Sequence, residues 1–288
     1  TSFTPVNEPL TTARFSALYG HWYPHRADDA SFARALVNQV RAVALAMTRI
    51  REITPGARLI QTEDLATVSA GPGLAYQAEF ENERRWVTID LLTGRLVPGM
   101  PMYEWLRRHG IAEAELAWFR RHPMPPDIIG WNYYVLSERY LDPDPHCATG
   151  NGRHHYHDRD AARSVGLRGL RALLAEARDR FRLPMAVTES HLAGTRDEQL
   201  RWLVENWDEA RAAQVEGSDL RGFTVWSLLG AYDWDSLCVC SRGRYEPGVF
   251  DLRGTLPRPT ALAAAVRQLV HGIRPAHPVL DAPGWWHA

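Results

Sequence analysis

The amino-acid sequence predicts an α/β fold built on a parallel sheet. Short apolar, β-branched and aromatic runs alternate with amphipathic helical segments, and a parallel crossover needs a helix-sized connection. Of the strand-like runs that end in a glutamate, two stand out. Thr1-Ser2-Phe3-Thr4-Pro5-Val6 runs into Asn7-Glu8-Pro9, and Leu183-Pro184-Met185-Ala186-Val187-Thr188 runs into Glu189-Ser190. Functional groups gather at strand carboxyl ends in both barrels and open sheets of this class. No G-x-G-x-x-G, G-x-x-x-x-G-K-[ST] or G-x-S-x-G occurs. The dinucleotide fold, the P-loop and the serine nucleophile elbow are therefore disfavoured.

The elements follow in order. After Glu8 comes a loop, then a helix opened by Asp28, Asp29 and Ser31. Its apolar residues Phe32, Leu36, Val40, Val43, Met47 and Ile50 recur at helical spacing until Pro55-Gly56. Arg58 to Glu63 reads as a strand. Helical patterns surround Met102–His109 and Glu113–Arg121, and Pro123, Pro125 and Pro126 end them. Asp127–Val135 is the next strand. A helix is expected over about 161–182, a strand over Pro184–Glu189, a helix over Arg196–Gln214 and a last strand over Leu220–Trp226. A final helix starts near Pro259 and Thr260 and stops at Gly272. The Pro- and Trp-rich segment 277–288 is set apart as a tail to a domain over 1–276.

Composition bounds the function. The 288 residues carry 45% hydrophobic and 23% charged side chains, and a formal net charge of -1. That charge offers no field for nucleic acid or anionic lipid. No apolar run approaches the ~18 residues of a membrane span. Lysine is absent, so the 33 basic residues are all arginine. Cys147, Cys238 and Cys240 make no disulfide framework, and an odd count suits a reducing compartment, hence an expected cytoplasmic location. Cys238-Val239-Cys240 lacks a second cysteine pair, and His154-His155-Tyr156-His157-Asp158 matches no zinc spacing. Neither is read as a metal site. The histidine cluster is read as a solvated or substrate-rim loop.

Four ordered segments carry a more specific signal. These are Thr4-Pro5-Val6-Asn7-Glu8-Pro9, Ile129-Gly130-Trp131-Asn132-Tyr133-Tyr134, Val187-Thr188-Glu189-Ser190-His191, and Trp226-Ser227-Leu228-Leu229-Gly230-Ala231-Tyr232-Asp233-Trp234. Tyr245–Asp251 adds a fifth. In this order they resemble the T-x-N-E-P, G-x-N-Y-Y, T-E-N-G, W-S-L-x-D-N-F-E-W and F-G-L-x-x-V-D motifs of the family 1 glycoside hydrolases, the β-glucosidase-like retaining enzymes. The resemblance implies a TIM (β/α)8 barrel of which this chain is the C-terminal portion, strands 4–8.

The resemblance also implies roles. Strands 4 and 7 face each other across an eight-stranded ring, so their side chains can bring two carboxylates to the ~5 Å that retention requires. Glu189 would be the nucleophile and Glu8 the acid/base. Asn7 would reach the sugar 2-OH. Asn132 and Tyr134 are two apart on one strand and point the same way, Tyr134 toward the nucleophile. Trp226 and Trp234 would be sugar platforms, and Asp233 would stand for the glycone-binding glutamate. The partner expected is a small-molecule glycoside, with no cofactor and no metal. Glu63 is expected to act as a helix cap or rim ion pair.

The departures are definite. Asp233 is one methylene shorter than the family's glutamate, Gly230-Ala231 replaces its Asp-Asn, and Ser190-His191 replaces Asn-Gly. The family's three βα units before T-x-N-E-P have no counterpart here. Five parallel strands alone leave two raw edges. The expectation is therefore a missing N-terminal part, or a further domain or chain that completes the ring. The alternative to hydrolysis is a glycosidase-like sugar-binding or regulatory module of a larger carbohydrate-processing protein.

Overall fold

The computed structural model describes residues 1–287. Strand β1 (Ser2–Phe3) leads through Glu8 to helix α1 (Pro9–Ala13), with Pro9 at its first position. A π-helical turn (Arg14–Leu18) follows. The long helix α2 (Asp29–Ile53) begins where Asp28 accepts the Ser31 N–H at 2.8 Å. That bond satisfies one of the orphan donors of the first turn. Phe32, Leu36, Val40, Val43 and Met47 then form its buried stripe.

The order continues with β2 (Arg58–Asp64), β3 (Thr67–Ala70), α3 (Ala75–Arg84), α4 (Val87–Leu92), α5 (Pro101–Arg108) and α6 (Glu113–Arg121). Next come β4 (Ile128–Tyr134), β5 (Glu138–Pro143), β6 (Tyr156–Asp160), α7 (Leu170–Phe181) and β7 (Met185–His191). Helix α8 (Arg196–Val215), β8 (Leu220–Val225) and α9 (Ala261–Val270) complete the main frame.

Five strands form one sheet in the order β1-β2-β4-β7-β8, and every pair is parallel. Each crossover carries helices, so the sheet is the half-barrel that the alternation predicts. Its middle is tight. A Cβ on Gly130 would lie 2.7 Å from Thr188 Oγ1 and 2.8 Å from Thr62 Cγ2, so only glycine lets β2, β4 and β7 close up there. The sheet also curls. Trp22, in the loop after the first strand, donates from Nε1 to the Leu237 carbonyl at 2.7 Å, beyond the last strand. Its ring lies 6.3 Å from Trp234, and Trp234 lies 5.9 Å from Trp226. Loops from opposite ends of the sheet thus meet over its concave side.

Two large apolar clusters back the sheet. One joins α1, α2, α5 and α6 around Leu36, Met47 and Leu106. The other joins β4, β7, α7 and α8 around Trp131, Tyr133 and Trp202. Trp286 belongs to the second cluster. It is 1% exposed, edge-on to Trp202 at 5.1 Å, and its Nε1 donates to Glu205. The segment set apart as a tail therefore shares the core.

Two local expectations are corrected, and one segment with no expected element is filled in. The helix expected over about 161–182 starts only at Leu170. Gly166 and Gly169 take φ of 84° and 86°, left-handed values that break a helix, and the Arg168 and Gly169 N–H groups bond the Glu138 carboxylate instead. The histidine-rich loop is partly a strand, β6, in a small three-stranded sheet β3-β5-β6. The segment between β2 and α5 holds α3 and α4, whose short, mixed sequences show no clean helical stripe.

Candidate active site

The mouth of the half-barrel is lined by strand ends. Glu8 has φ 44° and ψ 63°, a left-handed backbone that costs a non-glycine residue about 1–2 kcal/mol. The turn aims its carboxylate across β2 toward β4, where Asn132 Nδ2 donates to Glu8 Oε1 at 2.6 Å. Asn132 is fully buried, and its own Oδ1 accepts from Thr188 Oγ1 at 2.7 Å. Two residues on, the Tyr134 hydroxyl donates to Glu189 Oε2. One strand therefore holds both glutamates.

Register explains the convergence. Asp64 on β2 pairs with Asn132 on β4. The β4–β7 register slips at Trp131/Asn132, so Asn132 comes opposite Glu189 rather than Thr188. Asp64, Asn132 and Glu189 then stand in one row across three strands. In-register residues of parallel strands face the same side, here the mouth.

Asp64 is a member of the site that sequence reasoning passed over. It accepts from Ser137 Oγ at 2.5 Å and pairs with Arg14 at 3.4 Å. Ser137 Oγ in turn accepts the Tyr134 N–H at 3.0 Å, so Arg14 and Asp64 brace the tyrosine that holds Glu189. The signal available was its place beside Glu63 at a strand end. Nothing in the sequence pointed to Arg14 or Trp22.

Glu63 sits elsewhere. It is fully buried and accepts the Leu10 N–H of α1 at 2.9 Å and the Thr88 hydroxyl. That is the helix-cap arrangement expected of it. Asn7 is exposed at the mouth, its Oδ1 accepting from Thr62 Oγ1 at 2.7 Å. Trp226 and Trp234 are half-buried in the aromatic row with Trp22. His191 packs on Trp226 at 4.9 Å and bonds Glu246 at 2.7 Å, a use of the residue that replaces the family's glycine. Asp233 departs from its expected role. Its carboxylate accepts the backbone N–H groups of Arg242, Gly243 and Arg244 at 3.1, 3.2 and 2.8 Å, so it closes its own loop instead of projecting free into the mouth.

The electrostatics separate the two glutamates. Burial, then the Asp64 and Glu189 carboxylates, push Glu8 up to about 8 against the Asn132 hydrogen bond. Glu8 retains partial exposure at the mouth. Burial also raises Glu189, and the Tyr134 hydrogen bond opposes it. Burial and the adjacent Glu189 raise Tyr134, which stays a donor. Asp64 is raised by burial and held back by Arg14 and Ser137. Among the described residues no cluster of three or more His, Cys, Asp or Glu is arranged to hold a metal.

A curled parallel half-barrel of this kind is found in solved structures. The fold is that of the family 1 β-glucosidases. The family 1 β-glucosidase from Thermotoga maritima superposes with a TM-score of 0.76 at 17% identity, over 95% of this chain and 64% of that one. The same organism's β-glucosidase in complex with deoxynojirimycin matches at 0.72 and 17%, over 96% and 63%. Its complex with noeuromycin matches at 0.75 and 18%, over 96% and 64%. The chain thus spans less than two thirds of the length of the β-glucosidases it matches. No protein-family model and no curated protein sequence matches it.

Proposed function

We propose that this chain carries the two catalytic carboxylates of a retaining β-glycosidase. The observation that supports the reading best is the shared grip of β4. Asn132 binds Glu8 and Tyr134 binds Glu189, so two strand-end glutamates converge in different environments. Glu8, held largely protonated at neutral pH, donates its proton to the leaving oxygen. Glu189, kept in place by Tyr134, attacks the anomeric carbon and forms a glycosyl-enzyme bond. Glu8, now ionised, takes a proton from the incoming water, and the C–O bond to Glu189 breaks. Asn7, beside the acid, would bind the sugar hydroxyl next to the reacting carbon, and Asn132 would add a substrate contact from β4. Trp226 and Trp234 offer flat apolar faces to the ring.

Glycosides are the expected small-molecule partners. We also infer that the open edges are completed by further βα units, on the same polypeptide or on a partner chain. No helix among the described residues is long and apolar enough to cross a membrane. Three free cysteines fit our assignment to the cytoplasm.

The test uses the intact protein and aryl β-glycosides. Glu189→Gly should abolish turnover, and azide should restore it with inverted product. Glu8→Ala should keep its rate on leaving groups that need no proton and lose it on those that do. Equal loss on both kinds, or no azide product, would remove the assignment.

One observation favours a second reading. With Asp233 bound to backbone amides, its carboxylate is not free for the glycone. A sugar-binding or regulatory module of a larger carbohydrate-processing protein would keep the platform and dispense with turnover. Saturable glycoside binding without product release would establish it.

A further inference from the structure

The small sheet beside the mouth holds a constellation that the glycosidase reading does not use. Cys147 Sγ lies 3.2 Å from His157 Nδ1, and His157 Nε2 lies 3.1 Å from Asp144 Oδ2. The three residues sit on one hairpin. β5 and β6 pair Asp142 with His157, and the loop returns through the Cys147 N–H bond to the Asp144 carbonyl at 3.1 Å. Asp144 is fixed in turn by the His146 N–H, which donates to Oδ1 at 2.8 Å.

The hydrogen bonds decide the tautomer. A carboxylate only accepts, so His157 carries its proton on Nε2 when it binds Asp144. Nδ1 is then the acceptor, and it faces the thiol. This is nucleophile, base and orienting group in sequence, the arrangement that activates cysteine and serine nucleophiles. It is not a metal cage, because sulfur and carboxylate lie on opposite nitrogens of the ring. Thr149 N–H approaches Sγ at 3.4 Å and supplies a donor to negative charge developing on sulfur. Cys147 is 8% exposed, so the site admits small reagents only. His157 and Asp144 remain partly open to solvent, which gives the proton an exit.

We propose that Cys147, His157 and Asp144 form a nucleophilic thiol site that takes small uncharged electrophiles. With a haloacetamide, sulfur attacks the methylene carbon, an S–C bond forms, and iodide leaves with the C–I electron pair. The thiol proton passes to His157 Nδ1, and Asp144 stabilises the imidazolium. The same pair would attack hydrogen peroxide, with the O–O bond breaking as S–O forms. The thiol becomes a sulfenic acid, and the departing hydroxide takes the imidazolium proton and leaves as water. The site stands independently of the carboxylate chemistry at the mouth.

Cys238 and Cys240 are exposed and provide an internal reference. The intact protein is treated with limiting iodoacetamide at pH 7, and each cysteine peptide is timed by mass spectrometry. Cys147 should label faster than either exposed cysteine despite its burial. His157→Gln should slow Cys147 by about tenfold or more and leave the other two unchanged. Asp144→Asn should slow it less. A Cys147 slower than both references in the unaltered protein overturns the proposal. So does a His157→Gln rate that is unchanged. If that variant loosens the hairpin, Cys147 labels faster, and the Asp144→Asn rate and the unaltered protein's ranking decide the matter.

Discussion

The middle of the sheet and its two edges are built differently. In β4 every residue from Ile128 to Tyr133 is buried, and Asn132, Thr188 and Gly130 interlock with β2 and β7. In β8 Arg221, Gly222 and Thr224 are exposed, and β1 contributes only Ser2 and Phe3 to the ladder. The chemistry follows the same division. Asn132, Tyr134 and Glu189 are held by strands with neighbours on both sides. Glu8 hangs from the edge by a left-handed turn, and Asp233 turns back into its own loop. A parallel sheet fixes a side chain well only where ladder bonds and packing constrain its strand from both sides.

The largest expected effect tests the edges. The 288 residues expressed alone should be associated through β1 and β8, or loosely packed, and without glycosidase activity. Exposed ladder edges invite pairing, and a domain's margin of only ~5–15 kcal/mol leaves little room for an unclosed core. Sedimentation and denaturant melts check this. A monomeric, cooperatively unfolding, active chain would mean that the edges need nothing further.

In the intact protein, the middle should dominate catalysis. Tyr134→Phe removes the donor on Glu189, and a fall in kcat of about 10²–10³-fold is expected, the scale for losing one preorganised donor. Little change in rate would show that Glu189 is held by other groups.

Asp64→Asn is a finer probe. Glu8 must be protonated to act as the acid, so activity should fall as pH rises through about 8. Removing the Asp64 charge lowers the pKa of Glu8, and this alkaline limb should move to lower pH. A limb that moves up or stays would separate Asp64 from Glu8.

Glu63→Gln should do least. Burial pushes Glu63 up to about 7, above its ordinary value. A raised carboxylate is neutral in the fold at low pH, and ionising it destabilises the fold as pH rises from the unfolded value through about 7. The variant should therefore gain stability relative to the parent at pH 8 and not at pH 4, with kinetics nearly unchanged. Denaturant midpoints at the two pH values give the sign. A hundred-fold loss of rate without unfolding would place Glu63 in the chemistry.

Much was legible from the residues alone. The long helix from Asp28 announced itself by cap and stripe, and the five strands by their apolar runs. Glu8 and Glu189 stood out as strand-end carboxylates with proline or β-branched neighbours. These are local properties, set by backbone sterics and side-chain period. The helix expected to start near Ala161 failed because Gly166 and Gly169 take left-handed backbones and the Arg168 and Gly169 amides go to Glu138, a partner some thirty positions away in the chain. Only the folded chain decided that the register slips at Asn132 and that Asp64 joins the row. The same holds for the Arg14 bridge to Asp64, for Trp22 crossing to the last loop, and for Asp233 turning away. Each depends on which distant residue the sheet and its crossovers bring within hydrogen-bond reach. That distance is fixed by packing among strands, and no local pattern encodes it.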